Sequence, residues 1–169
     1  RMEWLIINLL KVARIEAGAI EFKKEKVLLK NSLDIALNTL DPKLENTVLD
    51  VKGDNNAFFY GDKDWTGEAL INIIKNAIEH GRGKIEITLE ETPLFSSIIV
   101  KDNGEGIDEK YLPHIFERFY KLSGDVKPES IGIGLHLTKA IVESQGGTIS
   151  VRSKKGVGTE FIITFLKTR

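Results

Sequence analysis

The 169-residue sequence predicts an α+β protein: a two-layer α/β sandwich in which helices cover one face of a mixed β-sheet, preceded by an N-terminal helix. Three observations predict this fold class. Segments with helical periodicity and segments with two-residue alternation are both present and follow one another along the chain in mixed order. The alternating segments carry apolar residues on one side only, which indicates a sheet with one covered face. Glycine- and proline-containing turns separate most of these segments.

Composition excludes several classes of function. There is no cysteine, so disulfides, thiolate metal sites and a cysteine nucleophile are excluded. The net charge of -1 gives no overall attraction to nucleic acid or to an anionic membrane. No apolar run approaches the roughly 18 residues that a membrane-spanning helix needs. Because the chain opens at Arg1 in the middle of a helical pattern, we expect it to be part of a longer protein.

The first segment is predicted to be an amphipathic helix over residues 2–17 that ends at Gly18. Its apolar positions recur at helical spacing and form a wide stripe: Met2, Leu5, Ile6, Leu9, Leu10, Val12 and Ala13. A stripe of this width on so short a segment indicates packing against other helices, and a helical bundle is the natural interpretation.

The remaining elements follow in mixed order. We predict strands over residues 27–29, 48–51, 57–60, 85–89, 97–102, 149–151 and 161–165. We predict helices over residues 32–40, 64–79 and 135–144. The turn at residues 61–64 offers an N-cap to the second of these helices, and Gly146-Gly147 closes the third.

The helix predicted over residues 64–79 carries two asparagines on its polar side. Asn72 and Asn76 are four residues apart and therefore lie on one line of the helix, with His80 at the border of the polar face. A solvated face is the simpler interpretation. However, asparagine is a weak helix former, and its amide oxygen suits a hard cation such as Mg²⁺ that bridges phosphates.

Three glycine-containing segments lie close to ends of predicted strands or helices. The first of them, at the end of a strand, is Asp102-Asn103-Gly104-Glu105-Gly106-Ile107. The Asp102 carboxylate could accept a hydrogen bond from an exocyclic amine such as that of adenine, although a tight turn also explains the motif. Gly132-Ile133-Gly134-Leu135 opens a helix, where free N–H groups favour phosphate. Gly156-Val157-Gly158-Thr159 precedes the last strand and by itself indicates only a hairpin turn.

About twenty residues without regular pattern separate the first two glycine segments, which is typical of a lid. The aromatic residues Phe116, Phe119 and Tyr120 lie in this stretch, together with Lys121 and Lys127. They either contact a ligand or simply attach the stretch to the core.

Taken in order, these motifs resemble the N, G1, F, G2 and G3 boxes that define the catalytic domain of sensor histidine kinases. This branch belongs to the superfamily that also contains DNA gyrase B and the mismatch-repair ATPases, and its fold is of the Bergerat type. The resemblance runs from about Val27 to Phe165. It implies that residues 1–18 are the end of the second helix of a dimerisation and phosphoacceptor bundle, and that residues 19–169 form the ATP-binding catalytic domain.

The resemblance also implies roles for individual residues. Asn76 would hold Mg²⁺ between the phosphates of ATP, near Asn72 and His80. Asp102 would bind the adenine amino group. The other residues implied at the nucleotide site are Gly104, Gly106, Ile107, Phe119, Tyr120, Lys121, Gly132, Ile133, Gly134, Leu135 and Thr159. Phe116 and Phe119 would anchor the lid.

The implied activity is transfer of the γ-phosphoryl group of Mg-ATP to a histidine that this chain lacks, for relay to a response regulator. His80, His114 and His136 do not have the sequence context of the acceptor histidine. The family further implies a homodimeric full-length protein, a cytoplasmic catalytic domain of a membrane-anchored sensor kinase, and no nucleic-acid partner.

Two departures from the family pattern bear on this interpretation. Glu79 stands where many members have a lysine, so we expect it to point away from the phosphates and Lys121 or Lys127 to supply positive charge. Asn72 stands where the gyrase-like ATPases have a general-base glutamate, which argues for phosphoryl transfer rather than ATP hydrolysis. A catalytically silent, ATP-sensing interaction module is the alternative.

Overall fold

The computed structural model describes residues 2–120 and 133–168. Within them the α-helices are α1 (Met2–Glu16), α2 (Leu29–Leu40), α3 (Lys63–His80) and α4 (Ile133–Ser144). The strands are β1 (Glu25–Leu28), β2 (Val48–Gly53), β3 (Phe58–Gly61), β4 (Lys84–Glu91), β5 (Phe95–Asp102), β6 (Thr148–Lys154) and β7 (Gly158–Leu166). Short 3₁₀ helices span Asp41–Leu44 and Glu109–His114. This arrangement confirms the predicted α+β class and the order of the elements.

The main sheet has five strands in the order β2-β4-β5-β7-β6. β2 pairs with β4 in parallel, whereas the other neighbours pair antiparallel, so the sheet is mixed as predicted. β1 and β3 form a separate antiparallel pair. This order places the ends of β5 and β6 and the start of β7 side by side at one end of the sheet.

One face of the main sheet forms the core with helices α2, α3 and α4. The alternation in β4 buries Ile85, Ile87 and Leu89 beneath the helices and leaves the residues between them at least partly exposed. Phe161, Ile163 and Phe165 of β7 continue this buried face. The two-layer arrangement follows from this one-sided burial.

Helix α3 is fixed at its start by Asp62. The carboxylate of Asp62 accepts hydrogen bonds from the backbone N–H groups of Asp64 and Trp65, as an N-cap residue should. The backbone N–H of Asp62 in turn donates to the side-chain oxygen of Gln145, which lies just beyond α4. The helix that carries the two asparagines is therefore tied to the end of α4.

Helix α4 includes two residues, Ile133 and Gly134, that the sequence pattern leaves outside it. The Ile133 side chain is fully buried, and Gly134 lies within the helix rather than before it. The pattern begins at the periodic residue Leu135, and the burial of Ile133 extends the helix backwards. Its C-terminus is closed at Gly146, which has a φ of 77°, as the glycine pair predicts.

Helix α1 packs on α4 and α3 of the same chain. Asn8, Val12 and Ile15 are buried, whereas Met2, Ile6 and Leu10 remain exposed. Lys11 forms an ion pair with Glu68 of α3, and Glu16 accepts hydrogen bonds from Arg118 and His136. The hydrogen bond from His136, followed by that from Arg118, lowers the pKa of Glu16. The prediction that the helix packs against other helices is confirmed, and half of its apolar stripe is left uncovered.

We expect Val12→Ala to loosen α1 from the rest of the domain. Val12 is 1% exposed. Deleting its two methyl groups removes about 2 kcal/mol of the hydrophobic free energy that holds α1 in place. The equilibrium constant for detachment of α1 should therefore rise by roughly 30-fold. Hydrogen exchange of the α1 amides would measure this increase. Ile7→Ala deletes more atoms from a side chain that is 51% exposed and serves as the control. Equal exchange in both variants would contradict the packing described above.

Among the residues that the structure describes, no helix combines the length and the apolar character that crossing a membrane requires.

Candidate nucleotide-binding site

Three polar residues lie in a row across neighbouring strands at one end of the main sheet. Asp102 ends β5, Thr159 lies opposite it at the start of β7, and Ser153 of β6 pairs with Thr159. The three side chains lie on the helix-covered face, in phase with Val100 and Phe161. A polar row at the edge of an apolar core marks this end of the sheet as the candidate site.

Asp102 is the only carboxylate of this row and is buried, with 4% of its surface exposed. Its Oδ1 accepts a 2.8 Å hydrogen bond from the backbone N–H of Gly104, and its carboxylate also accepts from the backbone N–H of Thr159. Burial raises the pKa of the Asp102 carboxyl, while these two hydrogen bonds and the nearby His80 oppose the rise. A buried carboxylate with unused lone pairs can accept further hydrogen bonds from a ligand.

The glycines around Asp102 are required by the fold itself. A Cβ on Gly104 would lie 2.0 Å from the carbonyl oxygen of His80, and one on Gly106 would lie 2.1 Å from that of Lys154. A Cβ on Gly158 would lie 2.1 Å from the carbonyl oxygen of Asp102. The three backbone segments that surround Asp102 therefore approach one another more closely than any side chain would allow.

The segment after β5 is joined to the β6–β7 turn by hydrogen bonds. The N–H of Ile107 donates to Ser153 Oγ at 2.7 Å, and the N–H of Gly156 donates to the carbonyl oxygen of Glu105. Ser153 Oγ donates to the carbonyl oxygen of Gly158 at 2.9 Å and lies 2.8 Å from Thr159 Oγ1. The predicted residues Asp102, Gly104, Gly106, Ile107 and Thr159 are thus brought together, and Ser153 lies at their centre.

The sequence pattern did not indicate Ser153 or Asn103 as site residues. Asn103 Oδ1 accepts hydrogen bonds from the N–H groups of Arg82 and Lys84, so it fixes the end of β5 to the turn after α3. The Asp-Asn-Gly motif predicts a turn at Asn103 but not this long-range contact. Strand alternation distinguishes Ser153 from Ser150, the other serine of β6, but only the register with β7 places Ser153 beside Thr159.

The polar side of α3 is not a solvated face. Glu68, Asn72 and Asn76 are all half-buried, and Asn72 Nδ2 donates to the carbonyl oxygen of Gly134 at 3.3 Å. Within residues 2–120 and 133–168, the Asn76 side chain makes no hydrogen bond to the protein, which leaves its amide oxygen available. Glu79 and His80 at the end of the helix are exposed. The polar side of α3 thus extends from the described start of α4 to the loop after Asp102.

The aromatic residues of the predicted lid differ in their positions. Phe116 is half-buried and packs edge-on against Phe161, with ring centroids 6.1 Å apart. Phe119 is 47% exposed and has a φ of 66°, which is unusual for a residue with a side chain. Tyr120 is half-buried beside His114. Lys121, Lys127 and Gly132 lie outside the described residues.

Comparison with known sequences identifies relatives. Residues 61–169 match the family described as histidine kinase-, DNA gyrase B-, and HSP90-like ATPase. Sensor histidine kinase YvrG of Bacillus subtilis is 38% identical over 109 residues, which are 63% of this chain and 19% of YvrG. Sensor protein SrrB of Staphylococcus aureus is 33% identical over an alignment that covers 99% of this chain and 30% of SrrB. The chain therefore spans less than a third of each of these relatives.

Solved structures agree in fold. Histidine kinase AdeS of Acinetobacter baumannii has a TM-score of 0.81 at 22% identity, with 99% of this chain and 79% of that chain covered. Full-length ShkA, solved in complex with AMPPNP, has a TM-score of 0.80 at 22% identity, with 98% of this chain and 36% of that chain covered. Because the family match covers more than half of the residues, this chain belongs to the histidine kinase-, DNA gyrase B- and HSP90-like ATPase family and has the fold of a histidine kinase catalytic domain.

Proposed function

We propose that this chain is the ATP-binding catalytic domain of a sensor histidine kinase. It binds Mg-ATP and transfers the γ-phosphoryl group to a histidine outside the chain. The bond between the γ-phosphorus and its bridging oxygen breaks, a bond to the imidazole nitrogen forms, and ADP leaves. The observation that carries the proposal is the buried Asp102 carboxylate, held by the N–H groups of Gly104 and Thr159 at the end of the sheet. The complex of the similarly folded ShkA with AMPPNP supports the choice of nucleotide.

The base site is proposed to form around Asp102. Its carboxylate accepts a hydrogen bond from the adenine amino group, and Thr159 contributes a second polar group beside it. Gly104, Gly106 and Ile107 shape the pocket wall, because their backbone follows directly on Asp102 and is tied to Ser153. His80 lies close enough to influence the Asp102 charge.

The phosphates are proposed to lie between α3 and the start of α4. Asn72 and Asn76 face this region from α3, and Ile133, Gly134 and Leu135 form the first described turn of α4. The N–H groups at the start of a helix favour anions. Asn76 would hold Mg²⁺, which would supply charge neutralisation on the phosphates. In the described parts of the chain no cluster of three or more acidic or histidine side chains could hold a metal alone, so phosphate oxygens would complete the coordination.

Residues between the two glycine segments are proposed to close over the nucleotide. Phe116 anchors this segment on Phe161, and Phe119 and Tyr120 lie near the nucleotide. Lys121 and Gly132 are proposed to contact the phosphates on the sequence resemblance alone.

Residues 1–18 are proposed to continue into a dimerisation and phosphoacceptor bundle, with residues 19–169 as the catalytic domain. The exposed side of α1, with Met2, Ile6 and Leu10, supports a further helical partner. The whole protein would then be a homodimer whose cytoplasmic kinase region is attached to a membrane sensor. A response regulator would receive the phosphoryl group from the histidine of the bundle.

We expect Gly134→Ala to fold at least as well as the natural sequence and to bind ATP less tightly. Among the described residues, the nearest atom to a Cβ at Gly134 would be in the Asn72 side chain at 3.8 Å, so their packing does not require this glycine. Alanine within a helix is favoured by about 1 kcal/mol over glycine. If phosphates pass close to this backbone, the methyl group would obstruct them. Thermal unfolding and nucleotide titration measure the two effects, and unchanged ATP affinity would contradict the proposed phosphate position.

The function itself is tested by calorimetric titration with ATP and AMPPNP, with and without Mg²⁺, followed by phosphotransfer to a supplied histidine-containing bundle. Saturable binding and transfer to the bundle histidine are expected. Binding without transfer would favour the alternative, a catalytically silent ATP-sensing module. An absence of binding in a folded sample would overturn the proposed function.

A further inference from the structure

The hydrogen bonds of Ser153 determine where the proton of a neighbouring hydroxyl group lies. Ser153 Oγ lies within hydrogen-bond distance of three groups: the N–H of Ile107, the carbonyl oxygen of Gly158 and the hydroxyl of Thr159. An N–H can only donate, and a carbonyl oxygen can only accept. Ser153 therefore accepts from Ile107 and gives its single proton to Gly158.

Thr159 must supply the proton of the remaining contact. Because Ser153 has no second proton, the 2.8 Å contact between the two hydroxyl groups is a hydrogen bond only if Thr159 donates. Ser153 then uses one proton and two lone pairs, so all its hydrogen-bonding capacity is satisfied. Thr159 Oγ1 retains only lone pairs for any other partner.

We infer that Ser153 is a positioning residue that makes Thr159 an acceptor-only group and so helps the site to select a 6-amino purine over a 6-oxo purine. The inference rests on the proposed nucleotide site. Thr159 is 6% exposed and adjoins Asp102, which accepts as a carboxylate. Two neighbouring acceptors fit an amino group, which carries two N–H donors, and oppose an oxo group, which carries none. A freely rotating threonine hydroxyl would tolerate both.

Ser153 also holds two segments of the site in register. Its partners belong to the segment after β5 (Ile107) and to the start of β7 (Gly158 and Thr159), and a Cβ on Gly106 would lie 2.1 Å from the carbonyl oxygen of Lys154. A purely structural role in this joint would weaken binding of every nucleotide equally. A role in directing the Thr159 proton would change the ratio between nucleotides.

The test compares the affinities of ATP and inosine triphosphate, which has an oxo group in place of the adenine amino group. In Ser153→Ala the Thr159 hydroxyl loses the acceptor that fixes the direction of its proton, and the N–H of Ile107 loses its acceptor. We expect ATP affinity to fall about 3- to 10-fold, the equivalent of one ordinary hydrogen bond, and the preference for ATP over inosine triphosphate to shrink by at least that factor. Ser153→Thr, which keeps the hydroxyl, should restore both values. Ser150→Ala removes a hydroxyl from an exposed position of the same strand and should change neither.

Two outcomes would overturn the inference while leaving the nucleotide site intact. One is unchanged affinity for both nucleotides in Ser153→Ala, and the other is an equal loss of both with the ratio preserved. If the natural sequence binds neither nucleotide, the proposed function fails first and this inference fails with it. Should Ser153→Ala not fold, Ser153→Cys provides the same comparison, because a thiol forms weaker hydrogen bonds and should shift the ratio in the same direction.

Discussion

Asp102→Asn is expected to lower the affinity for ATP by about 10- to 100-fold, which corresponds to losing a hydrogen bond to a charged group. The carboxylate is buried, and its unused lone pairs are the acceptors proposed for the adenine amino group. An amide retains one oxygen, which Gly104 already occupies, and places an NH₂ group where a second acceptor stood. Calorimetric titration of both proteins with ATP measures the loss.

The same variant should lose the part of the pH dependence of stability that Asp102 causes. Because burial raises the pKa of Asp102 above its usual value of 3.8, the folded protein binds this proton more readily than the unfolded chain does. Stability therefore decreases as pH rises from the unfolded pKa to the folded pKa, and it stays lower at neutral pH. An asparagine carries no charge and avoids this cost. A melting temperature that depends less on pH, together with weaker ATP binding, would be the combined signature.

Acid should weaken ATP binding to the natural sequence in a way that the variant does not share. The pKa of Asp102 is raised above its usual value of 3.8, so the carboxylate becomes protonated at a higher pH than an ordinary aspartate. The protonated group no longer accepts at both oxygens. Affinity for ATP should fall as the pH is lowered through the raised pKa, and Asp102→Asn should abolish that part of the pH dependence. Asp50→Asn changes an exposed carboxylate on β2 and serves as the control. Equal ATP affinity in all three proteins would contradict the base-site assignment.

The sequence predicted the order of the elements because each has its own periodicity. The alternation in β4 and the N-cap of α3 are local signals, and both appear in the structure as expected. Helix α4 includes Ile133, which the local pattern left out, because Ile133 is buried in the core, and burial is a long-range property. Local pattern predicts that a helix exists more reliably than it predicts where the helix begins.

The site was predicted only in part for the same reason. Asp102 and the asparagines of α3 belong to short motifs whose order along the chain indicates the family. Ser153 belongs to no such motif, although the alternation of β6 places it on the same face as Ile149 and Val151 and places Ser150 on the opposite face. Only the pairing of β6 with β7 places Ser153 beside Thr159 while Ser150 is exposed. A contact that depends on strand register between separate segments cannot be derived from the composition of either segment.

The packing of α1 shows a further limit. Its apolar stripe is wide enough to serve two surfaces, and periodicity alone does not say which half meets which partner. Val12 and Ile15 are buried against the rest of the chain, whereas Ile6 and Leu10 remain exposed. The ion pairs Lys11–Glu68 and Glu16–Arg118 are formed in this orientation. The width of the stripe was therefore informative, but the choice of surface required the complete fold.

Asn76→Ala is expected to abolish the dependence of ATP affinity on Mg²⁺ while leaving the fold intact. The Asn76 side chain is half-buried, lies one helical turn beyond Asn72, and makes no hydrogen bond to the described residues. Its removal costs little folding free energy, since alanine is the better helix former. If its amide oxygen holds the metal, the ratio of dissociation constants measured in EDTA and in Mg²⁺ should fall to about one, because Mg²⁺ is bound through few protein ligands.

The matched control is Asn38→Ala, which makes the same change at an exposed position of α2 and should preserve the full effect of Mg²⁺. Melting temperatures of both variants establish that they are folded, so a loss of Mg²⁺ dependence is attributable to position 76. Comparison with Asn72→Ala separates the two asparagines, because Asn72 donates to Gly134 and is therefore expected to affect the start of α4 more than the metal. If a folded Asn76→Ala protein keeps its Mg²⁺ dependence, Asn76 is not the metal ligand. If Asn72→Ala loses the Mg²⁺ dependence to the same extent as Asn76→Ala, both asparagines are needed for the metal.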